Sequence, residues 1–424
     1  MAVKTILDHI GLLWTMTDST EELALTPRQG RAAMREVGAV EHAAIAIDDE
    51  GRILAAGPRK QIVDLADENT LTIDAQGGFV CPGFVDPHTH LVYGGSREHE
   101  LPMRLAGATY LDILQAGGGI LRTVRDTRAA SHAELLAKAA GSLERMLSFG
   151  VTTVEAKSGY GLDYTTELKQ IEVAVALAQS QPIDIVLTAL PAHALPNDPG
   201  SSRENYVQEV IRWLPGLKAA GAEFADVFIE KGVFTLDEGR QILSAARDIG
   251  YGLKIHADEM EPLGGAELAA ELGAVSADHL LAASDAGLMQ MAASQVVAVC
   301  LPATSFYLQK PAARARFMID EAKLAVAIAS DYNPGSAPSE NFALTMSLAL
   351  LTLKMSPEEV FMAATRNSAH ALRRGDVAGV IAKGRPADLV WFAAPNPAFV
   401  LTRFGISHVA GVFKHGNLIY RAHS

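Results

Sequence analysis

Cysteine is scarce in this chain, and long apolar segments are missing from it. The two cysteines, Cys81 and Cys300, are too few for a disulfide scaffold and are typical of a reducing compartment. No window of about 18 uncharged apolar residues occurs that a membrane-spanning helix would need, and the N-terminus lacks the apolar stretch of a secretory signal. We therefore expect a cytoplasmic protein whose thiols are buried and unreactive.

Positive charge is also in short supply. The chain has 36 lysines and arginines against 49 aspartates and glutamates, which gives a formal net charge of −13. A surface of this sign repels phosphates, so we expect no nucleic-acid partner and no membrane partner. Because the protein is negatively charged overall, an anionic small-molecule substrate would need a local arginine or lysine to attract it.

The 424 residues are too many for one ordinary domain, and 49% of them are hydrophobic, enough for a sizeable core. The length fits one large α/β barrel of about 250 residues and a smaller module. Short strands and hairpins are predicted near both ends of the chain, at 5–16, 43–57, 71–74, 387–393 and 408–420. Because neither end has enough strands to bury a face alone, residues 1–80 and 371–424 are predicted to form one small composite β-sandwich.

Strands and helices alternate through residues 81–370, the predicted barrel domain. Eight strands are predicted, at 84–92, 151–157, 184–192, 225–230, 252–257, 276–281, 295–301 and 324–330. Ser131, with Glu134 three residues later, is typical of a capping box at a helix start. The segment 98–130 contains three consecutive glycines and predicts a loop with short helices. Eight alternating units indicate a closed (β/α)8 barrel of the TIM type, with an open doubly wound sheet as the alternative.

The stretch from Pro82 to His90 reads Pro-Gly-Phe-Val-Asp-Pro-His-Thr-His and ends the first predicted strand. His88 and His90 are two residues apart, so both imidazoles lie on the same side of an extended backbone. Two neutral imidazoles at one strand end are half of the ligand set of a zinc or iron site. On their own they could equally be ordinary polar residues at a strand edge.

Further candidates end other predicted strands, where the active sites of such barrels lie. They are His193, His256, His279 and Asp331. His88, His90 and His256 with Asp331 would supply three nitrogens and one oxygen to a single metal ion and leave one position for water. A metal lowers the pKa of such a water toward neutrality. The expected cofactor is therefore one Zn²⁺ or Fe ion per subunit.

Three residues are candidates for the proton transfers of a hydrolysis. Asp331 could accept a proton from the attacking water, and His279 could hydrogen-bond that water and orient it. Glu259 lies three residues beyond His256 and could contact the substrate and deliver a proton to its leaving nitrogen. Glu259 could otherwise be an ordinary loop carboxylate, and Asp258 is expected to lie behind the site or in solvent.

This set resembles the amidohydrolase superfamily, whose HxH on strand 1, histidines on strands 5 and 6 and aspartate on strand 8 match residues of this chain. The resemblance implies a metal-dependent hydrolase with a TIM-type barrel, a β-sandwich built from both chain ends, and a homodimer. Many members with two metals bridge them through a carbamylated lysine that ends strand 4, whereas Glu230 takes that place here and Lys157 ends strand 2. One metal is therefore favoured, and a second metal held by a modified lysine is the alternative.

Within the superfamily, five segments are similar to the enzymes that open the imidazolone ring in histidine degradation: 82–90, 155–161, 191–193, 256–259 and 330–336. This similarity implies that metal-activated water hydrolyses the cyclic amide of 4-imidazolone-5-propanoate to N-formimidoyl-L-glutamate. A mononuclear deaminase of a heterocycle such as guanine or cytosine is the nearest alternative, and a non-catalytic barrel is a more distant one.

The similarity also implies which residues bind this small anionic substrate. Arg97 offers a guanidinium that could bind its carboxylate through two hydrogen bonds, although a surface salt bridge with Glu98 or Glu100 is the alternative. Tyr160 could place its hydroxyl near the ring or the tail, and His193 could hydrogen-bond the ring carbonyl. The remaining candidates follow the last strand and could hold the polar end of the product: Asn333, Gly335 and Ser336.

Overall fold

The computed structural model describes residues 3–17, 26–107, 112, 116–198 and 202–422. Residues 108–111 and 113–115, which belong to the segment predicted as a loop with short helices, lie outside the described part. Two eight-stranded sheets organise the described chain. One is built from both chain ends, and the other comes from the middle of the chain and is parallel throughout.

Both chain ends contribute strands to the first sheet, and all strands are numbered along the chain. The N-terminal part comprises β1 (Val3–Trp14), β2 (Ala39–Asp48), β3 (Ile53–Pro58), β4 (Leu71–Asp74) and β5 (Phe79–Pro82). The C-terminal part comprises β14 (Leu389–Phe392), β15 (Val409–Lys414) and β16 (Asn417–Arg421). The two parts join where β14 pairs antiparallel with β5, and they share a core that includes Leu7, Ile45, Leu389 and Phe413. The prediction that the two ends form one β module is confirmed.

The second sheet contains parallel strands in the order in which they follow one another in the sequence. They are β6 (Phe84–Asp86), β7 (Val151–Lys157), β8 (Asp184–Ala192), β9 (Phe224–Ile229), β10 (Gly252–Ala257), β11 (Ser276–His279), β12 (Val297–Cys300) and β13 (Val326–Ile328). An open doubly wound sheet would reverse its strand order at one point, and this sheet does not. The prediction of a (β/α)8 barrel is therefore confirmed, and the doubly wound alternative is wrong.

The barrel closes between the segments that follow β6 and β13. Thr89 and Tyr332 form a parallel β-bridge, beside which the His90 amide donates to the Tyr332 carbonyl at 2.9 Å. The Asp331 amide donates to the His88 carbonyl at 3.1 Å. Both strands are shorter than predicted: β6 ends at Asp86 and β13 ends at Ile328. The segments that follow them pair across this seam and carry predicted metal ligands.

Helices alternate with the barrel strands and bury their apolar faces against them. The described helices are α1 (Gly30–Met34), α2 (Glu100–Leu105), α3 (Ile120–Ala129), α4 (His132–Ser148), α5 (Tyr164–Ser180), α6 (Arg203–Ala219), α7 (Leu236–Asp248), α8 (Gly265–Leu272), α9 (Asp285–Ala293), α10 (Pro302–Tyr307), α11 (Ala315–Asp320), α12 (Phe342–Thr352), α13 (Pro357–Met362), α14 (Ser368–Ala371) and α15 (Pro397–Thr402). A π-helical turn, Ala363–Asn367, joins α13 to α14. In α4, the residues Leu135, Ala139, Leu143 and Met146 recur at helical spacing and pack into the barrel core.

Both cysteines are free and buried, as expected. Burial raises the pKa of the Cys300 thiol to about 12 and raises that of Cys81 as well, so neither thiol is reactive at neutral pH. Among the residues that the structure describes, no helix combines the length and the apolar character needed to cross a membrane.

Substitution of Ser131 tests the capping box that the sequence predicts and the structure contains. Ser131 accepts a hydrogen bond from the Glu134 amide, and the Glu134 carboxylate accepts one from the Ser131 amide at 2.8 Å. Ser131→Ala removes the first of these bonds, and we expect it to lower the free energy of unfolding by about 1 kcal/mol. Ser131→Thr keeps a hydroxyl that can accept from the Glu134 amide and donate to the Glu134 carboxylate, and it should leave stability near wild type. Urea denaturation followed by circular dichroism measures both, and an alanine variant as stable as wild type would contradict this role.

Candidate metal-dependent active site

The seam that closes the barrel brings the predicted ligands of strands 1 and 8 together. Asp331 Oδ1 lies 3.5 Å from His88 Nε2 and 3.6 Å from His90 Nε2. The ring of His256, near the end of β10, has its centre 4.5 Å from that of His88 and 5.5 Å from that of His90. All four side chains are buried. The structure therefore brings these four side chains together in one buried cluster.

Two further histidines join this cluster. The ring centre of His279 lies 5.3 Å from that of His256, and the ring of His193 stacks on His90 with centres 4.7 Å apart. Ligand atoms of His88, His256 and His279 lie within 4.8 Å of one another, as do those of His90, His193 and His256. All the candidates that were predicted to end strands thus meet at the carboxyl end of the barrel.

The backbone at two of these positions is in the left-handed region. The φ angle is 54° at Asp331 and 77° at His279, and neither residue is a glycine. Such conformations are unfavourable for residues with a Cβ and are common at functional sites, where the surrounding contacts hold them. Here they turn the chain at the end of β11 and just after β13, and both side chains join the cluster.

The cluster leaves buried nitrogen atoms without hydrogen-bond partners. Among the described residues, these include Nε2 of His88, Nε2 of His256 and Nδ1 of His279. A buried polar atom without a partner costs on the order of 1–3 kcal/mol, which a bound ion would offset. Imidazole nitrogens with one carboxylate are also a donor set that zinc and iron accept. The residues present therefore fit a divalent metal ion.

Burial keeps two of the imidazoles in the neutral form that a metal ligand needs. It lowers the pKa of His88 and of His90 well below the usual value, and the charge of Lys157 acts in the same direction. Burial also lowers the pKa of His256, but the charge of Asp226 and its hydrogen bond more than offset this and raise it. A more basic imidazole is a stronger metal ligand.

Two carboxylates hold the outer nitrogens of the ligand histidines. Asp278 Oδ2 lies 2.6 Å from His88 Nδ1, and Asp226 Oδ2 lies 3.0 Å from His256 Nδ1. Each contact favours the tautomer that donates through Nδ1 and leaves the Nε2 lone pair for a metal. Neither aspartate was predicted from the sequence. The available signal was an acidic residue within an apolar strand, as in Phe-Ala-Asp-Val-Phe-Ile of β9.

The loop after β10 carries Glu259 toward the histidines. Glu259 Oε2 lies 3.8 Å from His279 Nε2. Asp258, which was expected behind the site or in solvent, is buried and accepts hydrogen bonds from the first amides of α8, so it caps that helix. Glu230 accepts a hydrogen bond from the Met260 amide at 2.9 Å. These two carboxylates fix the loop and therefore the position of Glu259.

Asp331 uses its two oxygens differently. Oδ1 faces His88 and His90, whereas Oδ2 accepts a hydrogen bond from the Thr304 hydroxyl at 2.5 Å. Burial raises the pKa of Asp331, while the charge of His279 and the hydrogen bond from Thr304 oppose that rise. Thr304 was not found from the sequence, because nothing in Leu-Pro-Ala-Thr distinguishes it from an ordinary residue at a helix start.

Arg97 lies in the loop after β6 and is fixed by Glu100. Its Nε and Nη2 donate to the two oxygens of Glu100 at 2.9 and 3.0 Å, and Arg104 donates to the same carboxylate at 3.2 Å. The Arg97 side chain is only 10% exposed, so this is a largely buried pair rather than a surface salt bridge. Its remaining nitrogen, Nη1, lies 2.2 Å from where a Cβ on Gly335 would be. The guanidinium group of Arg97 therefore packs against the turn that follows β13.

Tyr160 and His193 pack beside His90. The ring centre of Tyr160 lies 5.6 Å from that of His90 and 5.3 Å from that of His193. Nδ1 of His193 lies 3.1 Å from the Gly159 carbonyl oxygen, which can only accept, so Nδ1 carries the proton and Nε2 is an acceptor. Burial lowers the pKa of His193 to about 3, which keeps it neutral. Glu167 accepts hydrogen bonds from three amides of the loop that carries Tyr160 and fixes that loop.

Asn333 holds together the turn after Asp331. Its Oδ1 accepts hydrogen bonds from the amides of Gly335 and Ser336 at 2.7 and 2.8 Å. Its Nδ2 donates to the Asp331 carbonyl at 2.6 Å and to the Ser336 hydroxyl at 2.8 Å. The polar groups of these residues are thus engaged within the turn, which shapes the wall of the site beside Arg97. A contact between this turn and the product stays a prediction.

Solved structures of other proteins share this architecture. Guanine deaminase of E. coli superposes with a TM-score of 0.74 over 100% of both chains at 14% sequence identity. An adenosine deaminase of Xanthomonas campestris with bound zinc superposes with a TM-score of 0.72, over 99% of this chain and 93% of that one, at 17% identity. At such low identities the likeness shows the fold alone.

Sequence comparison is more specific. A sequence profile of the amidohydrolase family matches residues 79–420. The chain is 51% identical to the imidazolonepropionase of Bacillus cytotoxicus, across 98% of this chain and 96% of that protein. It is 50% identical to the imidazolonepropionase of Bacillus velezensis, across 98% and 97% of the two chains. This chain therefore belongs to the amidohydrolase family and, within it, to the imidazolonepropionases.

Proposed function

We propose that this protein opens the ring of 4-imidazolone-5-propanoate by hydrolysis and releases N-formimidoyl-L-glutamate, a step of histidine degradation. The observation that carries the proposal is the buried cluster of His88, His90, His256 and Asp331 at the carboxyl end of the barrel. The cluster alone would suit many metal-dependent hydrolases. Identity of 51% with an imidazolonepropionase over nearly the whole chain favours this substrate among them.

We propose that these four residues hold one Zn²⁺ or Fe ion per subunit, since three imidazoles and a carboxylate suit either metal. When bound, the ion supplies Lewis acidity, which lowers the pKa of water and polarises a carbonyl group. Lys157 argues against a second ion bridged by a carbamate. Its Nζ lies 2.7 Å from Asp226 and 3.0 Å from Glu155, where an anionic carbamate would be repelled.

The proposed proton transfers use three residues of the site. Asp331, whose Oδ2 is fixed by a hydrogen bond, accepts a proton from the attacking water. His279 hydrogen-bonds that water and orients its oxygen toward the ring carbonyl carbon. When the ring C–N bond breaks, the proton that Asp331 took from the water passes through Glu259 to the leaving nitrogen, and the proximity of Glu259 to His279 supports this role. The carbonyl carbon becomes a carboxylate of the product.

Arg97 is proposed to bind the carboxylate of the substrate's tail. Glu100 orients the guanidinium before the substrate arrives, so less conformational entropy is lost on binding. His193 is proposed to accept a hydrogen bond from a ring N–H, because donation to the ring carbonyl would need the protonated form that burial disfavours. Tyr160 completes this wall of the pocket. The polar end of the product is proposed to contact the turn formed by Asn333, Gly335 and Ser336.

Residues 81–370 are proposed to form the hydrolase domain, and residues 1–80 with 371–424 the β-sandwich that supports it. This division is supported by the two sheets, which meet where β5 ends and β6 begins. The protein is further proposed to act as a homodimer in the cytoplasm. The family resemblance supports the dimer, and two free buried cysteines suit a reducing compartment.

Metal-loaded protein should consume 4-imidazolone-5-propanoate and form N-formimidoyl-L-glutamate without releasing ammonia. The loss of imidazolone ultraviolet absorbance follows the reaction, and elemental analysis of the same sample gives the identity and number of the metal. Removal of the metal with a chelator should abolish turnover, and its return should restore it. Ammonia released from guanine or cytosine, with no ring opening, would instead identify a deaminase.

His256→Ala should remove one metal ligand and lower both metal content and turnover. Because loss of a group that only supports a ligand already costs 10–100-fold, we expect the ligand itself to cost more than about 100-fold in turnover. The matched control is His132→Ala, which changes an exposed histidine at the start of α4. Elemental analysis and the ring-opening assay check both variants. Full metal content in His256→Ala would remove this residue from the ligand set.

Arg97→Ala should mainly weaken binding of the anionic substrate. Loss of a charge-assisted hydrogen bond of about 1.5–3 kcal/mol predicts a KM that rises about 10- to 100-fold with a smaller change in kcat. Arg104→Ala is the matched control, because Arg104 contacts the same Glu100 carboxylate and is assigned no substrate contact. Steady-state kinetics distinguish the two. An unchanged KM and kcat in Arg97→Ala would rule out the carboxylate assignment.

A further inference from the structure

Five charged side chains lie directly behind the ligand histidines, and none of them reaches solvent. They are Glu155, Lys157, Asp226, Lys254 and Asp278, each with a side chain that is 0% exposed. The proposed reaction uses none of them to transfer a proton or to bind substrate. Burial of so many charges is costly unless each has a partner. We call this group the Lys157 cluster.

Lys157 is the member that contacts both carboxylates next to the ligand histidines. Its Nζ lies 2.7 Å from Asp226 Oδ2 and 3.7 Å from Asp278 Oδ2. The same two oxygens lie 3.0 Å from His256 Nδ1 and 2.6 Å from His88 Nδ1. One ammonium group therefore links the supports of two histidines that come from different strands.

The backbone of Lys157 reaches the same centre from another side. Its amide donates to the Thr89 carbonyl at 3.0 Å, and Thr89 lies between His88 and His90. The Thr89 hydroxyl donates to the Glu155 carbonyl at 2.5 Å. The end of β7 thus holds the HxH segment through its main chain, while its lysine side chain supports two histidines.

We propose that Lys157 is a positioning residue for the metal centre: its ammonium group holds Asp226 and Asp278 so that His256 and His88 keep Nε2 directed at the ion. This inference rests on the proposed ligand set. An imidazole keeps its Nε2 lone pair only while Nδ1 carries the proton, and a carboxylate at Nδ1 fixes that tautomer. Without the ammonium group, the two buried carboxylates lose their shared counter-charge, and the histidines lose fixed partners.

The test compares Lys157→Met with Lys254→Met, since each removes one buried ammonium group of the same cluster. Lys254 is the matched control, because its Nζ contacts Glu155 Oε1 at 3.1 Å and the Pro87 carbonyl at 2.8 Å. These contacts differ from those of Lys157, whose Nζ lies beside the two aspartates that support His256 and His88. Far-ultraviolet circular dichroism of the metal-free proteins first establishes that both fold. Zn²⁺ affinity is then measured by competition with a chromophoric chelator, and ligand geometry by the visible absorption of Co²⁺-loaded protein.

We expect Lys157→Met to weaken Zn²⁺ binding by about 10- to 100-fold and to alter the Co²⁺ absorption bands. Lys254→Met should keep the wild-type affinity and bands. Wild-type affinity and bands in Lys157→Met would overturn the proposal, and so would equal losses in both methionine variants, because that result would show a general effect of buried charge. Wild-type protein that binds neither ion would overturn the proposed function instead.

Asp278→Asn tests the same link if Lys157→Met does not fold. Asparagine keeps the shape of the side chain but removes the charge between Lys157 and His88. We expect weaker Zn²⁺ binding and altered Co²⁺ bands, and a wild-type Co²⁺ spectrum in this variant would overturn the proposal. Where both single variants fold, the double variant should lose less affinity than the product of the two single losses, because the residues act through one path.

Discussion

The backbone hydrogen bonds between residues 88–90 and 331–332 are the contact on which the site depends. They close the barrel and at the same time set Asp331 beside His88 and His90. In a closed barrel the first strand must meet the last, so ligands that are far apart in the sequence become neighbours through the bonds that complete the sheet. The hydrogen bonds that close the barrel therefore also bring the proposed metal ligands together.

Behind this seam the interior carries more acidic than basic groups. The Lys157 cluster contains three carboxylates and two ammonium groups, and Asp331 adds a further carboxylate nearby. In a medium of low dielectric constant, such an excess is unfavourable by itself and favours the binding of a cation. Arg97 supplies the opposite charge at the rim. The proposed metal site and the proposed carboxylate site therefore carry charges of opposite sign inside a protein whose net charge is −13.

The barrel, and the residues that meet at its carboxyl end, could be predicted from the sequence because both depend on local patterns. Alternating strands and helices indicate the barrel, and a spacing of two places both rings of the HxH motif on one side. The residues that could not be predicted from the sequence are those whose roles depend on contacts between strands. Asp226 meets His256 when β9 pairs with β10, and Asp278 and Thr304 meet partners that lie beyond neighbouring strands only in the folded barrel. The left-handed backbone of Asp331 and the direction of the His193 hydrogen bond are likewise set by tertiary contacts.

Gly335 has no side chain, and the Arg97 guanidinium lies in the space that a side chain would take. Its φ is not in the positive region, so its backbone conformation does not require glycine. The requirement comes from Arg97, whose Nη1 occupies the space that a Cβ would take. A Cβ at this position would require the guanidinium to move from the place it has in the structure. The place of the guanidinium, and with it the proposed binding place of the substrate carboxylate, therefore depends on a glycine in the turn after the last barrel strand.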